Sequence, residues 1–355
     1  MKKSLLFLIL APLFSLAQIP VNYYLSAENN SGNALKFELN QIIDNHTEFP
    51  YTSTNTDVWD ILKETDKDPN NSSNVILIYS GVSVDGPQEY NNSDGWTREH
   101  VWAKSRGDFG TTMGPGTDVH ALRPLDNITN TIRNNRGFDN CTDCSIVYDK
   151  WSNDTGSLRD NVAWSFEPRP EVKGDVARMI FYMDVRYEGY DSYPDLEVSE
   201  TILDAQDDSP FHGVLSTLLE WHRNDPVDTW EENRNDIIYY NYQNNRNPFI
   251  DYPDLAEHIW GNMIGDNWTS GTLGISEFND VAIQLFPNPV SESLNISGIN
   301  NKTLLELYDS LGKKLITQTI NGSQSNIDVS HLSTGIYLLR FTQNNESIVK
   351  RVVVI

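Results

Sequence analysis

A break in texture near Gly265 constrains this chain more than any other feature. From Asn22 to about Trp260 the sequence is dense in aromatics and in apolar residues at helical spacing. Next comes "GDNWTSGTLGISEFND", rich in Gly, Ser, Thr, Asn and Asp and without periodicity, and after it short alternating apolar segments. A polar run with no periodic apolar face has nothing to bury, so it reads as a linker. At 355 residues the chain is long enough for two cores. We therefore expect a larger unit over 20–264, a linker over 265–281 and a smaller unit over 282–355. The expected fold class is α+β, with a mostly helical first unit and a small C-terminal all-β sandwich.

Within the first unit, "SGNALKFELNQIIDNH" spaces its apolar residues as one helix face, with Ser31 at the cap position. "TDVWDILKETD" repeats the pattern. "NVILIYSG" is short, apolar and bounded by turns, and predicts a strand. "VKGDVARMIFYMDVRYEG", "SPFHGVLSTLLEWHRNDP" and "TWEENRNDIIYYNYQNN" predict further helices, the first beginning near Gly174. Trp221, His222 and Arg223 close one of them in packing and capping roles. "RNPFID" reads as a structural turn, and Asp175 and Arg178 either pair or line a groove. After the linker, "AIQLFPNP", "SLNISG" and "LSTGIYLLRF" alternate at strand spacing, and His331 falls in a turn.

The N-terminus, "MKKSLLFLILAPLFSLAQ", puts Lys2 and Lys3 before a short apolar run and Ala17 at a cleavage position. That is the pattern of a secretory signal peptide over 1–17. No later stretch approaches eighteen apolar residues, so a soluble mature protein without stable membrane insertion is expected. A monomer is a separate expectation. In an oxidising compartment, Cys141 and Cys144 of "NCTDC" most simply form a small-loop disulfide. A redox pair lacks a thioredoxin-like βαβ context, and zinc would need two further ligands.

The chemistry-bearing residues gather in "WTREHVWAKS" and "TDVHALRPLDNITNTIRNNRGF". The chain carries a formal charge of -24, which repels nucleic acid at long range. Between Trp96 and Arg136, however, six Lys/Arg outnumber four acids. Such a basic island is the footprint a nucleic-acid site needs. Phosphodiester hydrolysis needs a base for water and a charge to neutralise the phosphorane. Glu99 and the amide oxygen of Asn130 are hard donors suited to Mg²⁺, with Ca²⁺ or Mn²⁺ as alternatives. A neutral His100 suits the base role. On a regular strand Glu99 and His100 would point to opposite faces, so a shared site requires a turn, a bulge or access from both sides. On a helix, Asn130, Arg133 and Asn134 would share one face. Arg98, Arg123 and Arg133 could grip phosphate. The bland alternative is that a Glu-His pair and an Asn/Arg run are ordinary surface.

"REHVWAKS" followed by "DVHALRPLDNITNTIRNNRGF" resembles the endonuclease I family of secreted, non-specific nucleases with a ββα-metal active site. "SFEPRPEVKGDVARMIFYMDVRYEG" and "WHRNDPVDTWEENRNDIIYYNYQNNRNPFID" resemble that family's further blocks, so the match runs from about Tyr23 to Trp260. The resemblance implies a ββα-metal finger, with Glu99 and Asn130 as metal ligands, His100 as general base and Arg133 as a motif arginine contacting phosphate. It places His120 near the site, in packing or in a direct role. It implies DNA and RNA as substrates and 5′-phosphate products. Trp102, Ala103, Ala121, Ile132 and Asn134 depart from the family's commoner residues, which bears on substrate preference. An extracellular ribonuclease on the same scaffold and a non-catalytic nucleic-acid-binding protein are the competing expectations.

"LFPNPVSESLNI", "LYDSLGKKL", "LSTGIYLLRF" and "KRVVVI" resemble the sorting domain of the type IX secretion system, with motif positions Pro287, Asn288, Pro289, Gly335, Tyr337 and Lys350. The resemblance implies export to the cell surface or beyond through that machinery, often with later removal of the domain.

Overall fold

The computed structural model describes residues 19–270, 283–298, 302–309, 313–320, 324–343 and 346–355. The expected signal peptide, 1–17, and most of the expected linker, 271–281, lie outside the described residues. The chain divides between Ser270 and Gly271 into two compact units.

In the first unit, helix α1 (Gly32–Ile43) forms where Leu35, Leu39 and Ile43 recur every fourth residue, and all three are fully buried. Ser31 holds its N-cap position, but its hydroxyl makes no capping bond. Helix α2 (Val58–Thr65) is better anchored. Asp57 accepts from the amides of Trp59 and Asp60, and the Asp60 carboxylate answers the Asp57 amide.

Strand β1 (Asn71–Ile76) takes only Asn74, Val75 and Ile76 of "NVILIYSG". The chain then turns, Gly81 donating to the Leu77 carbonyl and Leu77 to that of Val82. The remaining apolar residues, Leu77, Ile78 and Tyr79, are buried as a turn rather than as a strand.

Strands β2 (Thr97–His100) and β3 (Leu122–Leu125) pair antiparallel, Glu99 opposite Arg123 and His100 opposite Leu122. Helix α3 (Asn127–Arg133) follows directly. Asp126 caps it, accepting from Ile128 and Thr129, and Asn134 ends it at φ 52°. Asn tolerates that left-handed conformation better than most residues.

Helix α4 (Lys173–Arg186) is buried along nearly its whole length, as its apolar run predicts. α5 (Leu215–Asn224) approaches it so closely that a Cβ on Gly174 would sit 2.1 Å from the Asp225 carbonyl oxygen. α6 (Thr229–Ile237) continues as a π-helix over Ile238–Gln243.

Two expectations change. A four-stranded sheet (Gly137–Phe138, Ser165–Glu167, Asp154–Asp160, Cys144–Tyr148, in that order) and several shorter pairings leave the first unit mixed rather than mostly helical. Those strands are too short and polar to show a clear alternation in sequence. The first unit also reaches past its expected end. Trp268, assigned to the linker, is fully buried; it exchanges backbone hydrogen bonds of 2.8 Å with Asn29 and Asn30 and packs on Tyr252.

In the second unit a three-stranded sheet (Gln284–Phe286, Ser293–Ser297, Gln324–Asp328) and a four-stranded sheet (Lys314–Ile320, Thr303–Tyr308, Gly335–Gln343, Glu346–Val354) share one apolar core. Leu294, Ile296 and Ile327 come from the first sheet, and Leu305, Leu307, Leu339, Phe341 and Val352 from the second. Asn288 of the Pro-Asn-Pro motif mimics a backbone unit: its amide donates to the Arg351 carbonyl and its oxygen accepts from Val353, both at 2.8 Å. Among the described residues no helix is long and apolar enough to cross a membrane.

Candidate active site

A cavity of about 370 Å³ opens where β2 meets α3, lined by Glu99, His100, Lys104, Asn130, Arg133 and Asn134 among others. The geometric difficulty raised by neighbouring Glu99 and His100 is resolved by position. His100 is the last residue of β2, and both side chains line the one cavity. Asn130, Arg133 and Asn134 reach it from α3 and its C-cap, as their i, i+3, i+4 spacing requires.

Each side chain is held by a specific partner. Glu99, 2% exposed, accepts from the Tyr79 hydroxyl at 3.1 Å and pairs with Arg133 Nε at 3.1 Å. Burial pushes its carboxyl up to about 7, against the pull of Arg133 and of the Tyr79 hydrogen bond. His100 Nε2 lies 3.0 Å from the Gly116 carbonyl. A carbonyl only accepts, so Nε2 carries the proton and Nδ1 keeps its lone pair. Burial pushes the imidazole down to about 3, the Gly116 bond opposing and Lys104, Arg98 and Arg133 adding to the fall. The ring stacks on Tyr51. Gly116 is required where it stands, since a Cβ would meet the Thr112 carbonyl oxygen at 2.6 Å. Asn130 donates its amide to the Arg98 carbonyl at 3.3 Å, which leaves its side-chain oxygen as the free end.

The donor set fits a small hard cation. One carboxylate and one amide oxygen line a polar cavity with room for water, and Mg²⁺ ordinarily takes one or two protein oxygens and keeps several waters. A second acidic group, Glu188, Asp195 and Glu197, has carboxylate oxygens close enough to surround an ion. The Lys36 ammonium already pairs with Glu188, Glu197 and Asp184, so a cation is present there.

Three expected substrate contacts are not brought to this cavity. Arg98 donates to the Tyr51 carbonyl and to Thr52, and is sandwiched over the rings of Tyr51 and Trp59. Arg123 is buried on Asp66 and near Asp175, and lines a different cavity. His120, 1% exposed, lies 3.1 Å from the Asn245 carbonyl and packs on Tyr182. The basic island thus looks different in three dimensions. Arg106 also spends its guanidinium on backbone carbonyls, those of Leu203, Asp204, Asp207 and Asn135. Arg133 lines the cavity but is heavily committed: it donates to Val101 O, to Asn134 O and to His212 Nε2 (2.7 Å) besides pairing with Glu99. Lys104 is the exposed cation at the rim.

Sequence reasoning missed Tyr79, Gly116 and His212. All three lie far from the motif or in unpatterned loops, and no local spacing marks them. Cys141 and Cys144 are joined by a disulfide, as expected. Trp221 is buried, His222 Nε2 lies 2.8 Å from the Pro253 carbonyl and Arg223 pairs with Glu257, in keeping with structural roles. "RNPFID" forms a short helix, Pro248–Asp251, tied down by the Arg246–Asp251 pair.

A strand–strand–helix cavity presenting an acid, a neutral imidazole and an amide oxygen is suited to hydrolysis of phosphate esters. The chain belongs to the Endonuclease I family, whose model matches residues 31–254. Residues 284–355 match the secretion system C-terminal sorting domain. Two relatives, each named extracellular ribonuclease, come from Bacillus subtilis (strain 168) and Bacillus amyloliquefaciens. Each is 50% identical over 238 residues, 67% of this chain and 78% of the relative. A solved structure of PorZ from Porphyromonas gingivalis overlaps 21% of this chain and 11% of its own length, at 16% identity and a TM-score of 0.20, too little to carry an argument. The protein is therefore a nuclease of the secreted class, found outside the cell or at its surface.

Proposed function

We propose that the first unit hydrolyses internal phosphodiester bonds of DNA and RNA, with Glu99 and Asn130 holding Mg²⁺ (or Ca²⁺ or Mn²⁺) and His100 activating the attacking water. The observation that carries this reading is the convergence of Glu99, His100 and Asn130 on one cavity. When bound, the cation supplies Lewis-acid charge at the scissile phosphate and the leaving 3′ oxygen. Tyr79 and Arg133 both hold the Glu99 carboxylate at Oε1. The Gly116 carbonyl fixes the His100 tautomer, so Nδ1 is the atom that accepts the proton from water. Arg133 faces phosphate from within its network, with Lys104 as the uncommitted charge beside it. The product carries a 5′-phosphate. The sorting domain directs export through the type IX machinery, after a signal peptide over 1–17 has served for the inner membrane.

His100→Ala tests the mechanism. A general base contributes about 10²–10⁴ in rate, so kcat should fall by that range while binding of nucleic acid persists. Near-normal turnover would remove His100 from the base role. Loss of plasmid nicking in EDTA, regained with Mg²⁺, tests the cation.

A second reading, preference for RNA, is favoured by the two ribonuclease relatives. Rates on single-stranded RNA and duplex DNA separate it from a non-specific activity.

A further inference from the structure

We infer that Arg159 forms a second phosphate subsite beside the active-site cavity, taking a phosphate of the bound strand other than the scissile one, with Arg136 held next to it as a positioning residue. The inference deepens the nuclease reading and rests on it.

Arg159 stands on the strand Asp154–Asp160 and is half-buried. Among the described residues its guanidinium has no carboxylate or carbonyl partner, and its Nε is buried without a hydrogen bond. The nearest acid in sequence, Asp160, is already used: its carboxylate accepts from the amides of Asp143, Val162 and Ala163. Arg159 is the cross-strand partner of Phe166, which pairs on its other edge with Phe138, two residues from Arg136, and the two guanidinium charges repel. Arg136 is 5% exposed and stacks on Trp164, its guanidinium carbon 3.9 Å from the ring centroid. Its terminal nitrogens donate to the Ile132 carbonyl and to Asn161 Oδ1, and its Nε is unpartnered.

The pair is joined to the cavity. Trp164 Nε1 donates to Asn135 Oδ1 at 2.8 Å, and Asn135 lines the cavity with Arg133. Burial, then Arg159, then Arg133 push the Arg136 guanidinium down to about 10, with no acid opposing them. Elsewhere in this unit Arg178 sits on Glu231 and Arg246 on Asp251, and buried arginines without a carboxylate, Arg98 and Arg106, spend their guanidinium nitrogens on oxygens of the protein. Here cations accumulate without a carboxylate in a chain of charge -24. An unpaired, partly desolvated guanidinium is costly, and a phosphodiester supplies the oxygens its fork matches. The nucleic acid that the nuclease reading places in the cavity is the polyanion at hand.

The test is equilibrium binding of a fluorescent single-stranded oligonucleotide by the full chain in EDTA, across a salt series. Each phosphate contact adds about 0.7 to the log–log salt slope for single strands. Arg159→Gln should lower the slope by about that amount and raise Kd about three- to tenfold at low salt. Arg159→Lys should restore the slope. Lys67→Gln, an equal charge change at an exposed position on a strand elsewhere in the same unit, should leave it unaltered. Ser145 is the cross-strand neighbour of Arg159 and is exposed, so Ser145→Asp should reproduce the loss without touching Arg159, even if Arg159→Gln fails to fold. An unchanged slope in Ser145→Asp and in folded Arg159→Gln overturns the subsite, as does an equal fall in Lys67→Gln. Cleavage of the same oligonucleotide by the parent protein with Mg²⁺ is scored separately. A parent that never cleaves sinks the nuclease reading, whereas a cleaving parent with an unchanged slope sinks only the subsite.

Discussion

Arg178 and Leu339 are both fully buried, one in each unit, and they hold their surroundings in opposite ways. Arg178 grips Glu231 through two hydrogen bonds of 2.6 Å and donates a third to the Asp225 carbonyl. Leu339 packs among Leu305, Leu307, Phe341 and Val352 and asks nothing of direction. The contrast extends through both units. The first buries Arg98, Arg106, Arg123, Arg133, Arg136, Arg178, Arg186, Arg234 and Arg246 on side-chain or backbone oxygens, whereas in the described part of the second the buried polar side chains are Thr303 and Glu306. Dispersion and hydrophobic burial are tolerant of small shifts, but fork-shaped hydrogen bonds are not. A nuclease unit that must keep an acid, an imidazole and an amide on one cavity therefore gains from a directional core. The second unit, two sheets around one apolar core, relies on packing that asks for no such direction.

Three measurements would break or sharpen that contrast. The largest effect is expected at Arg178→Met, which keeps the volume but strands Glu231 without its counter-ion. Breaking a buried pair on one side costs about 3–5 kcal/mol, so the urea midpoint of the first unit should fall sharply and nuclease activity with it. A loss below about 1 kcal/mol would mean that the directional core is decorative.

Next is Leu339→Ala, expected to cost about 3 kcal/mol by the cavity it leaves. The loss should appear in the unfolding of the second unit alone, with hydrolysis unaffected. Parallel loss of nuclease activity would contradict the independence of the two cores.

The smallest effect is an acid limb. Asp118 is buried, which by itself raises a carboxyl. His46 and His120, and hydrogen bonds from Gln243 and Tyr182, more than reverse this and hold it down at about 2. Tyr187 and the His120 amide also donate to it. Its folded pKa lies below its unfolded one, so its contribution is complete above the ordinary carboxylate range and disappears as pH falls through about 4 to 2. The difference of about two pKa units corresponds to roughly 2.5 kcal/mol. Asp118→Asn should flatten that limb in urea midpoints taken across pH, and an unaltered limb would assign acid sensitivity elsewhere.

Much of this was legible in the chain. The texture break near Gly265 marked two units, and the Glu99–His100 and Asn130–Arg133 pairs marked the cavity, because contiguous motifs and helical spacing are local properties. Arg98, Arg123 and His120 were legible only as residue types. Whether a guanidinium faces a phosphate or a backbone carbonyl depends on partners such as Tyr51 and Asp66, more than forty residues distant in sequence. The fate of "NVILIYSG" shows the same limit: its composition favours a strand, and the turn closed by Gly81 and Val82 instead buries Tyr79 where it reaches Glu99.

The sequence by itself determined the family, the order of the two units, the disulfide pair and which side chains carry the acid, the imidazole and the amide. Only the tertiary structure decided which cations remain free for a substrate, because a charge buried in protein is claimed by whatever oxygens the fold brings within reach. It also decided the tautomer of His100, since the Gly116 carbonyl meets that ring only once the loop between β2 and β3 has closed.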